Sequence, residues 1–305
     1  MKISEIEQEE FLLAGTSACH GCPSSMCLRI VLKALGKRTV LVVPACCTSV
    51  YMGPFPNSAI KVPVFNTAFA SAAATASGIK ASLEMQEIEG EVVVWAGDGG
   101  TYDIGLQALS GAAERGDDII FICYNNEIYS NTGIQRSGAT PFGAWTTTTW
   151  TGKKEHKKDV AELMLAHGIP YVATASTGYL KDLYEKVKKA KKIKGFRYIE
   201  ILAPCPPGWR FPMDKTVMMG RLAVETGMWI LFESVNGKTR LTGVSNQIAL
   251  GRRKMKDVRE YIKLQGRFDH LDENEIAEIE NYIERKWRRL ISAEEGSDIL
   301  MFKTV

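Results

Sequence analysis

The sequence predicts an α/β fold: a doubly wound, mostly parallel sheet with a C-terminal α+β extension. Near-continuous apolar runs recur at residues 39–45 (TVLVVPA), 91–99 (EVVVWAGDG), 118–126 (DIIFICYNN) and 197–204 (RYIEILAP), as strands buried on both faces require. Segments with helical spacing lie between them, and alternating strands and helices wind into a parallel sheet.

The elements follow in chain order. A helix is expected over 24–36 (SSMCLRIVLKALG), stopped by Gly36, and another over 67–85 (TAFASAAATASGIKASLEM), whose small residues permit close packing. Residues 103–116 (DIGLQALSGAAERG) carry Asp103 near the helix start and Gly116 at its end, the usual start and stop residues. Residues 177–195 form a basic amphipathic helix whose lysines read as a solvated face. After about residue 210 the texture changes. Residues 220–243 predict a helix and then a hairpin turning at Asn236-Gly237, a strong hairpin dipeptide. A charged linker leads to residues 272–291, where Asp272 and Glu275 fit a capping box and Ile276, Ile279, Ile283, Trp287 and Leu290 recur at helical spacing. Two parts are expected: a site-bearing domain over 1–210, and an arm over 211–305 that packs on it or on a partner subunit.

The bulk numbers exclude several classes. The chain has 305 residues, 45% apolar, with a net charge of +3, too little to argue for nucleic acid or an anionic membrane. The start, MKISEIEQEE, has no basic region leading into an apolar one, and no run is long enough to span a bilayer. A cytoplasmic protein is expected, so the seven cysteines read as metal ligands or core residues rather than disulfides.

Two motifs carry chemistry. Gly97-Asp98-Gly99 follows an apolar strand and precedes a helix, at the strand edge where α/β sheets bind ligands. Glycines there admit a phosphate to the backbone, and a helix start favours its charge. Asn125-Asn126 follows the next strand, with Asn126 twenty-eight positions after Asp98, room for one helix and one strand. One carboxylate and one amide oxygen converging at a sheet edge suit Mg²⁺ holding a diphosphate. Either motif alone reads as a turn; the ordered pair is specific. The second motif is Cys19-x-x-Cys22, half of a tetrahedral site that serves zinc or iron–sulfur equally. Cys46, Cys47 and Cys205 each follow an apolar strand and are candidates for the remainder. Cys27 and Cys123, inside a helix and a strand, read as buried small hydrophobes.

GDG followed some thirty residues later by NN resembles the thiamine-diphosphate motif. NEIYSNTGIQRSGATP narrows the resemblance to the β subunits of 2-oxoacid:ferredoxin oxidoreductases, particularly the pyruvate type, and it spans nearly the whole chain. The resemblance implies that Asp98, Asn126 and the Ile128 carbonyl hold Mg²⁺. It places Gly97, Gly99, Asn131, Thr132, Cys47 and Thr48 at the cofactor, with Asn131 and Arg29 facing the reacting centre. It also implies a [4Fe–4S] cluster on Cys19, Cys22, Cys47 and Cys205, the last in an APCPPGW loop. A structural zinc is the alternative, and it leaves the thiamine motif without an electron acceptor.

The chemistry implied is oxidative decarboxylation of a 2-oxoacid, with electrons leaving singly through the cluster to ferredoxin and the acyl group passing to coenzyme A. The chain carries only the diphosphate half of a thiamine site. An α subunit is therefore implied, bringing the pyrimidine half and its activating Glu, together with a ferredoxin-like subunit holding further clusters. Pyruvate is the default substrate; oxalate or a branched-chain 2-oxoacid stands as the alternative, because three stretches depart from the family. Pro23 follows the second cysteine where glycine is usual, Phe69-Ala70-Ser71 replaces FEN, and ACCTSVYMGPFPNS replaces the TGC context. An electron-transfer subunit without thiamine chemistry is a further alternative, opposed by the intact GDG, NN and SNTG.

Overall fold

The computed structural model describes residues 6–54 and 56–294. Its strands are β1 (Thr39–Pro44), β2 (Val64–Thr67), β3 (Glu91–Gly97), β4 (Ile120–Asn125), β5 (Tyr171–Ser176), β6 (Arg197–Leu202), β7 (Phe232–Val235) and β8 (Lys238–Leu241). They form one sheet in the order β2-β1-β3-β4-β6-β5-β7-β8. The first six run parallel, and the β7–β8 hairpin adds two antiparallel strands beside β5. The α/β sheet expected from the apolar runs is present.

Two strands had escaped the sequence reading. β2 is a four-residue edge strand, too short and too exposed to show a pattern. β5 (YVATAS) is fully buried but carries Ala, Thr and Ser instead of branched aliphatics. Its hydroxyls are satisfied locally: Thr174 Oγ1 donates to the Ile230 carbonyl at 2.6 Å and Ser176 Oγ to that of Gly220 at 2.8 Å. A buried hydroxyl with a partner is tolerated where an unpaired one is not.

Helix α1 (Pro23–Leu35) leads into β1, and α2 (Cys47–Tyr51), α3 (Ala72–Met85), α4 (Leu106–Arg115), α5 (Val160–Ala166) and α6 (Leu180–Lys192) connect the parallel strands. Successive strand residues point to opposite faces, so the sheet separates two apolar layers. On one side Leu41, Val43, Trp95 and Ile122 meet Leu28, Val31 and Leu32 of α1 and Leu183 and Val187 of α6. On the other, Val42, Val94, Phe121 and Tyr198 meet Leu109 of α4 and Met164 of α5. Gly116 ends α4 in the left-handed region, φ 67°, where a side chain would be strained. Asp103 does not start α4, which begins three residues later. It lies in the π-type turn Gly99–Asp103, and its carboxylate accepts from Tyr129 Oη at 2.8 Å and the Gly138 amide at 2.9 Å.

The remaining helices are α7 (Pro206–Trp209), α8 (Thr216–Glu225), α9 (Gly243–Ala249), α10 (Val258–Ile262) and α11 (Glu273–Glu294). Asn236 and Gly237 turn the hairpin with positive φ at both positions, 49° and 78°, as a type I′ turn needs. The α11 capping box forms as read: Glu275 N donates to Asp272 Oδ1 at 2.8 Å, and Asp272 N to Glu275 Oε2 at 3.3 Å. Ile279, Ile283, Trp287 and Leu290 are buried in the same apolar layer as Val42 and Phe121. The extension therefore packs on the sheet. Trp287 anchors it, its Nε1 donating to the Gly227 carbonyl at 3.1 Å. Trp287→Ala should destabilise the chain by about 3–5 kcal/mol, read as a lower midpoint in urea unfolding; a change below about 1 kcal/mol would mean that the arm is not part of the core.

Candidate functional site

The central strands β1, β3, β4 and β6 are neighbours and end at Pro44, Gly97, Asn125 and Leu202. The chain leaving these ends carries Cys47, Asp98, Asn126 and Cys205. From β1 the chain proceeds outward to β2, whereas from β3 it proceeds the opposite way to β4. The strand order thus reverses between β1 and β3, the switch point where such sheets open a ligand crevice. α1 precedes β1 and runs back along the sheet, so its N-terminus returns Cys22 to this same edge.

Asp98 is buried, and its carboxylate accepts from the Asn126 amide at 3.3 Å and from the Ser137 hydroxyl. Burial pushes its carboxyl up to about 8, against the opposing pull of the Ser137 hydroxyl and the nearby amides. A carboxylate so enclosed, with no cationic side chain among its contacts, suits a bound divalent cation. Asn126 Oδ1 accepts from the Ile128 amide at 3.3 Å, which folds the turn that carries the Ile128 carbonyl. The first Asn of the pair does different work. Asn125 Nδ2 donates to the buried Glu200 at 2.7 Å, and its Oδ1 accepts from Glu127 N at 2.8 Å, so it ties β4 to β6. Gly99 is required by contact: a Cβ there would stand 2.3 Å from the Tyr129 ring. Asn131 and Thr132 lie exposed at the tip of the following loop, with Thr132 Oγ1 donating to Gln135 Oε1 at 2.6 Å.

Glu127, unnoticed in the sequence, fixes this loop. It has φ 63°, a left-handed conformation uncommon for a side-chain-bearing residue. Its buried carboxylate pairs with Lys157 at 3.1 Å and Arg267 at 2.8 Å. Burial alone would raise its pKa, but the Lys157 ammonium and Arg267 guanidinium outweigh that and hold the carboxyl below its ordinary value. Arg267 also lies 3.7 Å above the Trp209 ring, and Trp209 Nε1 donates to the Asn126 carbonyl at 2.7 Å. One array from three distant segments thus grips the turn after β4. Sequence spacing carries no signal of such a meeting.

The thiols gather at the same edge. Cys47 lies within electrostatic reach of Cys205 and Cys22, and Cys205 within reach of Cys22 and Cys19. Burial pushes the Cys47 thiol up to about 12, with Cys205, Cys46 and Cys22 adding to the effect. Cys46 is engaged locally. It caps α2, with its Sγ 3.8 Å from Ser49 Oγ, and lies beside Tyr124. Cys27 and Cys123 are fully buried. Among the described residues no three His, Cys, Asp or Glu side chains stand at the spacing of a single ion. A [4Fe–4S] cluster gives each thiolate its own iron, so Cys19, Cys22, Cys47 and Cys205 would fit it in kind and number.

Two expected site residues lie apart from this edge. Thr48 is fully buried, its hydroxyl accepting from Trp95 Nε1 at 3.0 Å and donating to Tyr51 Oη at 3.0 Å. It belongs to the core beneath the edge, with its hydroxyl already engaged. Arg29 sits two turns along α1, half-exposed, and pairs with Glu10 at 3.4 Å.

Residues 45–201, just over half of the chain, match the family described as thiamine pyrophosphate enzyme, C-terminal TPP binding domain. Two curated relatives align over almost the full length. One is the ketoisovalerate oxidoreductase subunit VorB of Pyrococcus furiosus, 48% identical over 92% of this chain and 93% of its own. The other is the pyruvate synthase subunit PorB of Methanothermobacter marburgensis, 49% identical over 92% of this chain and 97% of its own. The chain belongs to the β-subunit family of the 2-oxoacid:ferredoxin oxidoreductases. A solved 2-oxoglutarate:ferredoxin oxidoreductase from Magnetococcus marinus, with 2-oxoglutarate, coenzyme A and succinyl-CoA bound, shares the fold: TM-score 0.58, 20% identity, 90% of this chain and 97% of that one. The chain is thus a thiamine-diphosphate-binding subunit of an oxidoreductase that works with partner subunits.

Within this β subunit the unusual residues find physical places. Pro23 occupies the first turn of α1 after Cys22, where its fixed φ suits the helix and its missing N–H costs nothing. Gly21, at φ 72°, lets the cysteine loop pass against the Met213 carbonyl, which a Cβ would approach to 2.3 Å. Phe69 of the FAS stretch meets Tyr129 edge-on, with ring centroids 6.0 Å apart, beside Gly100. No helix among the described residues is long and apolar enough to cross a membrane. Glu127→Gln leaves two buried cations without their counter-charge and should cost about 3–5 kcal/mol, read by thermal unfolding near neutral pH. Because the folded-state pKa of Glu127 is lowered, its stabilisation is present above the ordinary glutamate range and lost as pH falls through the folded value. The wild-type advantage over the Gln variant should therefore shrink on acidification, and a constant advantage down to about pH 3 would contradict the assignment.

Proposed function

We propose that this subunit serves the oxidative decarboxylation of a 2-oxoacid, holding the diphosphate end of thiamine diphosphate and a [4Fe–4S] cluster at one sheet edge. The observation that carries the reading is the convergence of Asp98, Asn126, Cys47 and Cys205 on the ends of four neighbouring strands. Asp98, Asn126 and the Ile128 carbonyl would hold Mg²⁺ on the diphosphate, with Gly97 and Gly99 flanking Asp98 in the turn that would receive it. Cys19, Cys22, Cys47 and Cys205 would hold the cluster, with Cys46 left as the cap of α2. Thiamine diphosphate supplies the carbanion and electron sink that decarboxylation needs, and the cluster accepts electrons one at a time.

The chain's own residues supply position and charge. The buried Asp98 carboxylate supplies the anionic ligand, Ser137 and the Asn126 amide hold its oxygens, and the Glu127–Arg267 pair keeps the loop from opening. Asn131 and Thr132, exposed at the loop tip, would meet the cofactor and the α subunit that closes over it. That subunit would bring the pyrimidine half and its activating Glu. A ferredoxin-like subunit would carry electrons onward to ferredoxin, and coenzyme A would take the acyl group. Pyruvate is the substrate assigned here. Ketoisovalerate is a second reading, favoured by the 48% identity to the ketoisovalerate oxidoreductase subunit.

The test is an anoxic assay of the co-purified complex with pyruvate and 2-oxoisovalerate, scoring acceptor reduction and coenzyme A dependence together. Asp98→Asn should strip thiamine diphosphate from the complex while leaving its iron. Cys205→Ser should lower iron by one cluster per β subunit and leave thiamine diphosphate bound. Unchanged iron in Cys205→Ser would overturn the ligand set, and unchanged thiamine diphosphate in Asp98→Asn would overturn the cation site.

A further inference from the structure

Ser130 has no role in the reading above, yet it occupies a singular position. It lies in the loop after β4, between Ile128 and Asn131, among residues assigned to Mg²⁺ and the diphosphate. Its hydroxyl meets the cysteine loop, with Ser130 Oγ 3.2 Å from Cys205 Sγ and the Cys47 thiol within its reach.

The surroundings hold it there. Tyr129 N donates to the Gln135 carbonyl at 2.9 Å and Gly133 N to that of Ser130 at 3.2 Å, which close the loop on itself. On the facing side, Trp209 N donates to the Cys205 carbonyl at 2.8 Å, while Trp209 Nε1 bonds the Asn126 carbonyl. Gly208 lets the two loops touch: a Cβ there would stand 2.0 Å from Ile128 Cδ1 and 3.4 Å from Cys205 Sγ. The hydroxyl is thus presented to sulfur by two loops bonded to each other.

We propose that Ser130 is a positioning residue that donates a hydrogen bond to the cluster-bound sulfur of Cys205 and so raises the reduction potential of the cluster from within the diphosphate-binding loop. The inference rests on the cluster assignment made above. The direction of the bond follows from the chemistry: a metal-bound thiolate has no proton to give, and a serine hydroxyl does. Reduction adds one electron to the cluster and breaks no bond, so the thiolates become more electron-rich. A donor aimed at one of them favours the reduced form more than the oxidised form, and hydrogen bonds to sulfur are among the levers a protein has on cluster potential.

The test is a redox titration of the anaerobically purified complex, followed by electron paramagnetic resonance, in wild-type, Ser130→Ala, Ser130→Thr and Cys205→Ser forms. The signal missing from Cys205→Ser identifies this subunit's cluster among the others. Ser130→Ala should keep its iron and thiamine diphosphate, while the ratio of reduced to oxidised cluster at the wild-type midpoint falls about tenfold, or ~59 mV for a one-electron couple. Ser130→Thr, which keeps the hydroxyl, should restore the wild-type value. An unchanged midpoint in Ser130→Ala, or an equal shift in Ser130→Thr, overturns the inference and leaves the cluster assignment standing. Loss of iron from Ser130→Ala would assign the residue to cluster assembly and overturn the tuning role. If Cys205→Ser loses no signal, the cluster assignment itself falls.

Discussion

The buried carboxylate of Glu127, held between Lys157 and Arg267, is the constraint on which the site depends. Removing charges from water is costly, and a buried pair is strongly destabilised when either partner is lost. The interaction is therefore a poor source of net stability and a strong source of geometry. It holds a non-glycine residue at positive φ directly beside Asn126. Arg267 comes from the short turn after α10, so the C-terminal extension reaches under the sheet edge and fixes the turn after β4. Without that reach, the Glu127 carboxylate would keep only Lys157 as its buried counter-charge.

The same array joins two sites that separate strands create. Arg267 stacks on Trp209, and Trp209 bonds the Asn126 carbonyl. Trp209 ends α7, which starts immediately after Cys205. The turn after β4 and the cysteine loop thus share a wall: Ile128 against Gly208, and Ser130 against Cys205. On the proposed reading, two groups that exchange single electrons would benefit from such rigidity, because a fixed separation needs no conformational step between them. The neighbouring positions of β4 and β6 in the sheet make this contact possible.

Much of this was legible in the sequence. Continuous apolar runs announced β1, β3, β4 and β6, and capping chemistry announced α11, because these signals are local. The GDG and NN pair stood out for the same reason, each motif sitting just past a recognisable strand. β2 and β5 were missed because one is a short exposed edge and the other substitutes hydrogen-bonded hydroxyls for aliphatic bulk. Side-chain direction was beyond reach as well. Nothing in CysCysThr says that Cys46 caps α2, or that Thr48 sinks beneath Trp95. Asp103 looked like a helix start and instead binds Tyr129 and Gly138, since a π-type turn intervenes. Glu127 was invisible because its partners lie 30 and 140 residues away.

The claim that one buried array holds both loops is tested most directly by amide hydrogen exchange on the complex carrying Arg267→Met. Methionine keeps the bulk of the side chain while removing its charge and its stacking on Trp209. The account predicts that residues 126–133 and 203–209 lose protection together, with the strands β1 and β3 unchanged. Faster exchange confined to the segment around residue 267, with both loops protected as in the wild type, would contradict it.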